Sequence, residues 1–464
     1  MYDGMSFSDL HFIFIYLPVF LCLYYAAAKI FKSSTRVANL VLFFGSIIFY
    51  ALGAVGQLPY LIAALSVNYF IPLLIEKYGV SFSKRKMKTF FFIILTVFDV
   101  GLLLYFKIIV GKMPMGLSFY IFQMISYAAD VYMDRICAEK DFINFGTYVI
   151  MFPRLVQGPL GKYEDVSERL NYRKFEIELF YKGLVYFITG LSFKVIIADR
   201  IGLLWSTEIA RIGYESISTQ LAWMGAFAYS FELYYDFFGY SLMAVGLGYM
   251  LGFELANNFD NPYASLSLTE FWRRWHVTLG TWFKDYIYIP LGGNRKGKMR
   301  LILNLFIVWA VTGLWHGFGF NYMIWAMVIF IIIVLEKLFF GKFLSKENIV
   351  GRVIGHIYIL FLVPLTWVVF AIEKIDRLGI YFARLFPLFG NTVGNVNQHD
   401  YIKYFGMYYP YFILAIIFCI PFITNSVLKM HKKWFSVAIC MVLFGICVLL
   451  IGRGLNNPFM YAVF

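Results

Sequence analysis

Two histidines in the stretch 265–317 are the residues of this chain best suited to acid–base chemistry. His276 and His316 lie on either side of its densest basic cluster, and a neutral imidazole can accept the proton of a reacting hydroxyl group. Each has a structural alternative: His276 as a packing residue, and His316 as a histidine that hydrogen-bonds a neighbouring helix. The spacing alone leaves both interpretations open.

The surroundings of His316 predict a site inside the membrane. It lies in a long apolar run, and ionisable groups at bilayer depth usually serve a function. We expect it near the middle of a helix, with Gly313, Gly317 and Gly319 removing side-chain bulk around it. The sequence therefore predicts an open pocket beside a deeply buried imidazole.

An amphipathic helix is predicted at about 267–288. Ser267 and Glu270 form an S-x-x-E capping box, so the helix should begin at Leu268. Apolar residues follow at helical spacing: Leu268, Phe271, Trp272, Trp275, Leu279, Trp282, Phe283 and Tyr286. A helix this rich in Trp and Arg belongs in the membrane interface, and His276 falls on its apolar, inward face.

A basic turn is predicted at 290–300. Pro290 ends the preceding helix, and Leu291 to Asn294 read as a turn. Four basic residues follow: Arg295, Lys296, Lys298 and Arg300. Because short cytoplasmic loops are enriched in Lys and Arg, this face is predicted to be cytoplasmic, where it could meet an anionic donor such as a coenzyme A phosphate.

The composition excludes a soluble globular protein. Hydrophobic residues make up 61% of the chain and charged residues 14%, and the mean hydropathy is +0.72. Runs of about 20 apolar residues, enough to span a bilayer, recur from end to end, and the run 218–251 is predicted to hold two helices. We therefore predict an all-α polytopic membrane protein with a single membrane domain over 1–464. The net charge of +13 does not indicate nucleic acid, because the basic residues cluster in short loops.

Some segments within the apolar runs carry charged residues or helix-breaking residues, and these segments could have special functional or structural roles. Asp236 lies in an apolar stretch, where a carboxylate is a functional candidate and pairing with a buried Arg is the alternative. Lys194, Asp199 and Arg200 end another run and are typical of an interface anchor. Residues 147–163 combine prolines and glycines in a short apolar run, which predicts either a re-entrant segment or an interfacial loop.

Motifs along nearly the whole chain carry a family resemblance. They include MGLSFYIFQMISYAADVY at Met115, FPRLVQGPL at Phe152, FKVIIADR at Phe193, YYDFFGYSLMAVGLGYMLGF at Tyr234, FWRRWHVTLGTWFKDYIYIPLGGNR at Phe271 and GLWHG at Gly313. With them the chain resembles the membrane-bound O-acyltransferase (MBOAT) family, in its bacterial branch of AlgI-like alginate and peptidoglycan O-acetyltransferases. The ending YIPLGGNR favours this branch over the related D-alanyl transfer proteins.

The resemblance implies a ring of about 11 tilted transmembrane helices, with re-entrant and interfacial helices, around a central channel in the cytoplasmic membrane. It also implies O-acyl transfer: an acetyl group moves from a cytoplasmic donor, acetyl-CoA, to an exported polysaccharide such as alginate, another exopolysaccharide or peptidoglycan. A secreted or membrane-anchored partner protein would complete transfer on the outer side. No bound cofactor and no metal are expected.

By the same resemblance, His316 is the catalytic base in the channel, and His276 is a second signature histidine that orients the donor or the helix. Arg273 and Arg274 would attract the anionic donor. The other channel or donor-binding residues implied are Trp272, Trp275, Trp282, Asp285, Asn294, Arg295, Trp315 and Asp236.

Other functions stay open at this point. D-alanyl transfer to teichoic acid would use the same family architecture. A transporter of an acylated lipid or glycan, without covalent chemistry, would be expected to show repeats in two halves, and none is visible in the sequence. A scaffold for an envelope complex would leave the motif histidines dispensable.

Overall fold

A computed structural model describes residues 5–31, 34–79, 85–341, 343–344, 349–387, 396–432 and 435–460. Over these ranges the regular structure is helical, with one isolated β-bridge between Phe259 and Trp275. A helix satisfies its backbone hydrogen bonds within one segment, which is what a chain in lipid requires. The all-α class predicted from the composition is confirmed.

The helices are numbered in chain order. Those of the first half are α1 (Leu17–Ile30), α2 (Thr35–Ala54), α3 (Leu58–Gly79), α4 (Arg85–Leu104), α5 (Leu117–Tyr132), α6 (Phe142–Ile150), α7 (Phe152–Leu155), α8 (Tyr163–Asn171), α9 (Ile177–Ser192), α10 (Asp199–Leu203) and α11 (Ala210–Ile212). Those of the second half are α12 (Thr219–Met250), α13 (Leu268–Arg274), α14 (Val277–Phe283), α15 (Lys298–His316), α16 (Phe320–Leu335), α17 (Ile349–Ala371), α18 (Ile375–Leu385), α19 (Asp400–Phe418), α20 (Pro421–Leu428) and α21 (Ser436–Gly452). Wider π-helical turns occupy Phe12–Tyr16, Tyr105–Val110, Phe193–Ala198, Leu204–Ile209, Lys284–Tyr288 and Glu336–Phe340.

Within the described ranges, 6 helices are long and apolar enough to cross a membrane, or up to 7 if the bent pair of α19 and α20 is one span. This confirms a multi-pass membrane protein. The predicted number of about 11 spans is not confirmed. One apolar helix of the described ranges, α21 (Ser436–Gly452), is shorter than a full span.

Two predicted segments divide differently in the structure. The run 218–251, predicted to hold two helices, holds one helix, α12, whose 32 residues extend about 48 Å at 1.5 Å per residue. The amphipathic helix predicted at 267–288 divides into α13, α14 and the π-helical turn Lys284–Tyr288.

The chain forms two compact units. The first comprises Met1–Leu191, Tyr240–Asn257 and His431–Phe464, and the second comprises Ser192–Gly239 and Asn258–Met430. The two predicted signature histidines both belong to the second unit. The single membrane domain over 1–464 is not tested by this division and stays a prediction.

In the first unit, α5 is an internal helix. Gln123, Ser126 and Asp130 are each at most 3% exposed. The segment 147–163 contains the end of α6, the short α7 and an irregular stretch, and it is buried from residue 147 to residue 160.

Arg154 holds this irregular stretch together. Its guanidinium donates to the carbonyls of Pro159 and Gly161, at 3.1 and 2.7 Å. Irregular backbone at membrane depth is tolerated only where protein packs around it. The burial therefore favours the re-entrant interpretation over an exposed interfacial loop.

In the second unit, three long helices form the framework of the site. Helix α15 packs against α16, α16 packs against α17, and the short α13 lies against both α16 and α17. Because α13 carries Trp272, Arg273 and Arg274 of the central motif, this packing brings that part of the motif close to α16, the partner of the helix that ends in His316.

Candidate active site

His316 is the last residue of α15, not a residue near its middle as predicted. The helix ends where Gly317 takes an extended backbone, and the Gly317 N–H donates to the Gly313 carbonyl at 3.1 Å. The chain then turns, and α16 begins at Phe320. The imidazole therefore lies at the connection of a helical hairpin, where glycines disfavour continuation of the helix.

The glycines beside His316 serve close packing and do not leave the predicted open pocket. A Cβ atom on Gly313 would lie 3.0 Å from the Ala326 side chain, and one on Gly317 would lie 2.5 Å from the Tyr322 ring. Both neighbours belong to α16. The absent side chains thus allow α16 to approach the end of α15, as small residues do between membrane helices.

Aromatic rings enclose His316, which is 7% exposed. The centroid of its imidazole lies 4.5 Å from that of Trp315, a predicted site residue, and 6.3 Å from that of Tyr322. Trp325 and Phe370 meet it edge to face, at 5.2 and 5.1 Å. These four rings form what we call the aromatic box. A site walled in this way excludes water and strengthens electrostatic interactions formed inside it.

A tryptophan cluster connects the central motif with this box. Trp272 of α13 lies 5.5 Å from Trp325 and 5.2 Å from Trp309 between ring centroids. Trp275 lies 5.0 Å from Trp367, which stacks on Trp325 at 5.9 Å. The structure therefore brings the predicted residues Trp272 and Trp275 to the surroundings of His316.

Sequence analysis missed Trp309, Trp325 and Trp367. Their helices were predicted as apolar spans, and Trp325 and Trp367 lie outside the stretch 265–317 that holds the histidines. The available signal was the residue type, since a buried indole N–H needs a hydrogen-bond partner within an apolar helix.

The central helix is broken at His276, which has a left-handed backbone with φ +46° between α13 and α14. Pairing with an upstream segment explains the break. The Asp260 N–H donates to the Arg274 carbonyl at 3.0 Å, and the Val277 N–H donates to the Asn258 carbonyl at 2.9 Å. A continuous helix would need these same groups for its own hydrogen bonds.

His276 is 5% exposed, and its ring meets Phe237 edge to face at 4.7 Å. Burial lowers its pKa from 6.5 to about 3, because an apolar environment disfavours the charged imidazolium. The ring is therefore neutral at physiological pH. Its predicted role in orienting the donor or the helix stays a prediction.

Two side chains cap the start of α13. The Ser267 hydroxyl accepts a hydrogen bond from the Glu270 N–H at 3.1 Å, as predicted. The Glu270 carboxylate, however, accepts from the N–H of the residue before Ser267 and not from that of Ser267 itself. The Glu336 carboxylate accepts from the N–H groups of Leu268 and Thr269, at 2.6 and 2.8 Å. A negative charge at a helix N-terminus is stabilising, so Glu336, which sequence analysis missed, positions the tryptophan-bearing helix.

The two arginines of the motif differ in their availability to a ligand. The Arg274 side chain is 18% exposed and pairs with Glu270 at 2.8 Å, whereas the Arg273 side chain is 76% exposed. Arg273 is thus the better candidate to attract an anionic donor. Arg274 instead forms an ion pair within α13, with a residue of the first turn of that helix. The structure leaves Asn294 and Arg295 exposed, Asp285 half-buried and Trp282 buried.

Lys194, predicted to anchor at the membrane interface, is instead buried in an ion cluster. Its ammonium lies 2.6 Å from the carboxylates of both Asp199 and Asp236, and all three side chains are 1% exposed. Glu232 interacts electrostatically with the same three groups, and a Cβ atom on Gly202 would collide with its carboxylate. The anchor prediction is wrong, because paired carboxylates compensate the charge inside the protein. This pairing favours a structural role for Asp236 over donor binding.

In the part of the chain that the structure describes, no group of three or more His, Cys, Asp or Glu side chains could hold a metal ion. Arg273 and Arg295 are exposed, and their predicted role in binding an anionic donor stays a prediction.

The chain is similar to known proteins over much of its length. The family model described as MBOAT, membrane-bound O-acyltransferase family, matches residues 132–344, which include both signature histidines. The probable alginate O-acetylase AlgI of Pseudomonas aeruginosa is 37% identical over 80% of this chain and 73% of its own length. The peptidoglycan O-acetyltransferase of Helicobacter pylori is 27% identical over 97% of this chain and 96% of its own length. The teichoic acid D-alanyltransferase of Bacillus subtilis is 29% identical over 39% of this chain and 48% of its own length.

Proposed function

Since this chain belongs to the membrane-bound O-acyltransferase family, we propose that it transfers acetyl groups from a cytoplasmic thioester, acetyl-CoA, to hydroxyl groups of an exported polysaccharide. The relatives named for alginate and peptidoglycan O-acetylation match most of the chain, whereas the D-alanyltransferase of Bacillus subtilis matches 39% of it. This difference supports acetate over D-alanine as the group transferred. A secreted or membrane-anchored partner protein on the outer side would complete the transfer.

The enclosure of His316 by the aromatic box is the observation that carries the proposal. In the proposed reaction, the imidazole accepts the proton of an attacking hydroxyl, whose oxygen then bonds the carbonyl carbon of the acetyl group. The rings exclude water, so the thioester is protected from hydrolysis while it waits for its acceptor.

The length of α15 supports delivery of the acetyl group away from the cytoplasmic face. Lys298 begins the helix beside the basic turn, which the distribution of Lys and Arg assigns to the cytoplasm. His316 ends the helix about 27 Å further along its axis, close to the ~30 Å thickness of the hydrocarbon core. On this proposal the donor approaches from the side of Arg273 and Arg295, and the acceptor meets it at His316.

Ester-linked acetate on the exported polysaccharide tests this function. Acetate released by mild base is measured for wild type, a deletion strain, His316→Ala and a matched histidine control, His356→Ala, at equal membrane abundance. His356 lies exposed on α17. We expect His316→Ala to lose ~10²–10⁴-fold in transfer rate, the usual contribution of a general base, and His356→Ala to retain acetate.

Acetate at the wild-type level in His316→Ala would overturn the assignment of the base. Ester-linked alanine in place of acetate, lost in the deletion strain, would instead identify a D-alanyl transfer protein.

A further inference from the structure

Trp325 is a buried hydrogen-bond donor next to the proposed base. It is 1% exposed, and none of the described residues accepts a hydrogen bond from its Nε1–H. An indole nitrogen can only donate, and buried tryptophans usually find an acceptor. A donor left open in a packed interior therefore points to a group that arrives later.

A second donor of the same kind lies in contact with it. Trp272 meets Trp325 edge to face at 5.5 Å and 80°, and its Nε1–H is also buried with no acceptor in the described part of the chain. Trp325 in turn meets the His316 ring at 5.2 Å and 88°. Trp325 of the aromatic box thus carries an open N–H donor next to the imidazole, and Trp272 carries a second one in contact with Trp325.

The chemistry of these neighbours defines the ligand that fits. Trp367 and Phe370 are further ring neighbours of Trp325, at 5.9 and 5.1 Å. Their side chains carry no oxygen atom that could accept a hydrogen bond. A water molecule would bring two O–H donors of its own into this setting, whereas a carbonyl oxygen only accepts. The site therefore matches a carbonyl oxygen better than water.

We infer that the Trp325 Nε1–H donates to the carbonyl oxygen of the acetyl group during its transfer at His316. The acceptor hydroxyl oxygen bonds the carbonyl carbon, and its proton passes to the imidazole. The electron pair of the C=O double bond moves to the oxygen, and the Trp325 N–H stabilises this oxyanion. The intermediate then collapses, the carbon–sulfur bond breaks, and the leaving thiolate takes the proton from the imidazolium.

Since this inference rests on the proposed acetyl transfer, its test uses permeabilised cells of the native host, supplied with radiolabelled acetyl-CoA. Incorporation into polysaccharide is followed against donor concentration, so that kcat and KM are separated. Trp325→Phe keeps a ring and removes the N–H. We expect its kcat to fall ~10²-fold, the usual loss for one oxyanion donor, with KM changed less than twofold.

Trp309→Phe is the matched control, because Trp309 belongs to the same cluster and undergoes the same change of ring. We expect it to retain kcat within about threefold, because the inference gives it no contact with the reacting oxygen. A second variant removes the N–H without truncation: benzothienylalanine at position 325 replaces the indole nitrogen by sulfur and keeps the bicyclic shape. It should lose kcat as Trp325→Phe does, at wild-type thermal stability.

Full kcat with benzothienylalanine, in cells whose wild-type protein incorporates acetate, would overturn the inference and leave the proposed function standing. An equal loss of kcat in Trp309→Phe and Trp325→Phe would also overturn it, because the effect would then come from ring volume. Failure of the proposed function itself is a separate outcome, seen as the absence of acetate incorporation by the wild type.

Discussion

Two buried polar centres of the second unit differ in the side chains that surround their polar groups. In the ion cluster, Lys194 lies between Asp199 and Asp236 at 2.6 Å from each. In the aromatic box, four aromatic rings surround the His316 imidazole, among them those of Trp325 and Phe370. The first centre carries the partners of its charge within the chain. The second offers a titratable ring and a donor N–H beside it.

This difference separates stability from chemistry. Removing one member of a buried ion pair leaves an uncompensated charge in the interior, which is strongly destabilising. Replacing an imidazole within aromatic rings by another ring of similar size leaves no such charge, and volume-conserving changes in a core cost little. We therefore expect the ion cluster to determine whether the chain folds, and the box to determine whether it transfers acetate.

The largest effect is expected for His316→Phe. Transfer of acetate should fall ~10²–10⁴-fold because the proposed general base is lost, while the phenyl ring fills the aromatic box. Acetate per unit of membrane protein measures the loss of transfer, and Tm in detergent measures whether the fold is retained. A protein that disappears from the membrane, or melts well below wild type, would assign His316 to structure instead.

A smaller effect, on folding, is expected for Lys194→Met. The two carboxylates then lose the cation that lies between them, and the free energy of unfolding should fall by about 3–5 kcal/mol. Membrane abundance and Tm in detergent report this loss. The control is the triple variant Lys194→Met, Asp199→Asn, Asp236→Asn, which removes the uncompensated charges and should recover part of the stability. If the single variant melts like wild type, the ion cluster is not the stabilising centre described above.

His276 should couple stability to pH. Its pKa is about 3 in the folded protein and 6.5 as its ordinary value, so between these values the unfolded state binds a proton that the folded state does not. Stability is therefore lost as the pH falls below 6.5, by about 2 kcal/mol between pH 7 and pH 5. His276→Asn removes the titration and tolerates the left-handed backbone.

Thermal melting at pH 7 and pH 5 in detergent compares the two proteins. His276→Asn should lose less Tm on acidification than wild type, which retains a buried group that must stay neutral. An identical loss in both would mean that other groups account for the acid sensitivity.

The smallest effect is expected within the motif itself, between Arg273 and Arg274. Arg273→Gln should raise KM for acetyl-CoA roughly two- to fivefold, since exposed charge interactions contribute about 0.2–1 kcal/mol, and added salt should diminish the difference. Arg274→Gln should lower Tm more than Arg273→Gln, because it breaks the pair with Glu270. The reverse pattern would exchange the roles assigned to the two arginines.

Local patterns were sufficient for much of the fold. Hydrophobic runs predicted the all-α polytopic class, and the capping residue Ser267 predicted the start of α13. In each case the signal lies within one segment, because length, periodicity and a capping side chain act over one or a few helical turns. The motifs around His276 and His316 also identified the family by themselves.

Contacts between distant segments decided the rest. The left-handed His276 depends on pairing with residues 258–260, which no local pattern contains. Lys194 resembled an interface anchor until the fold brought Asp236 to it, 42 positions further along the chain. Trp325 became part of the candidate site because α16 packs against the end of α15. A sequence specifies which side chains are apolar, charged or able to cap a helix, but burial and compensation depend on the neighbours that tertiary packing supplies.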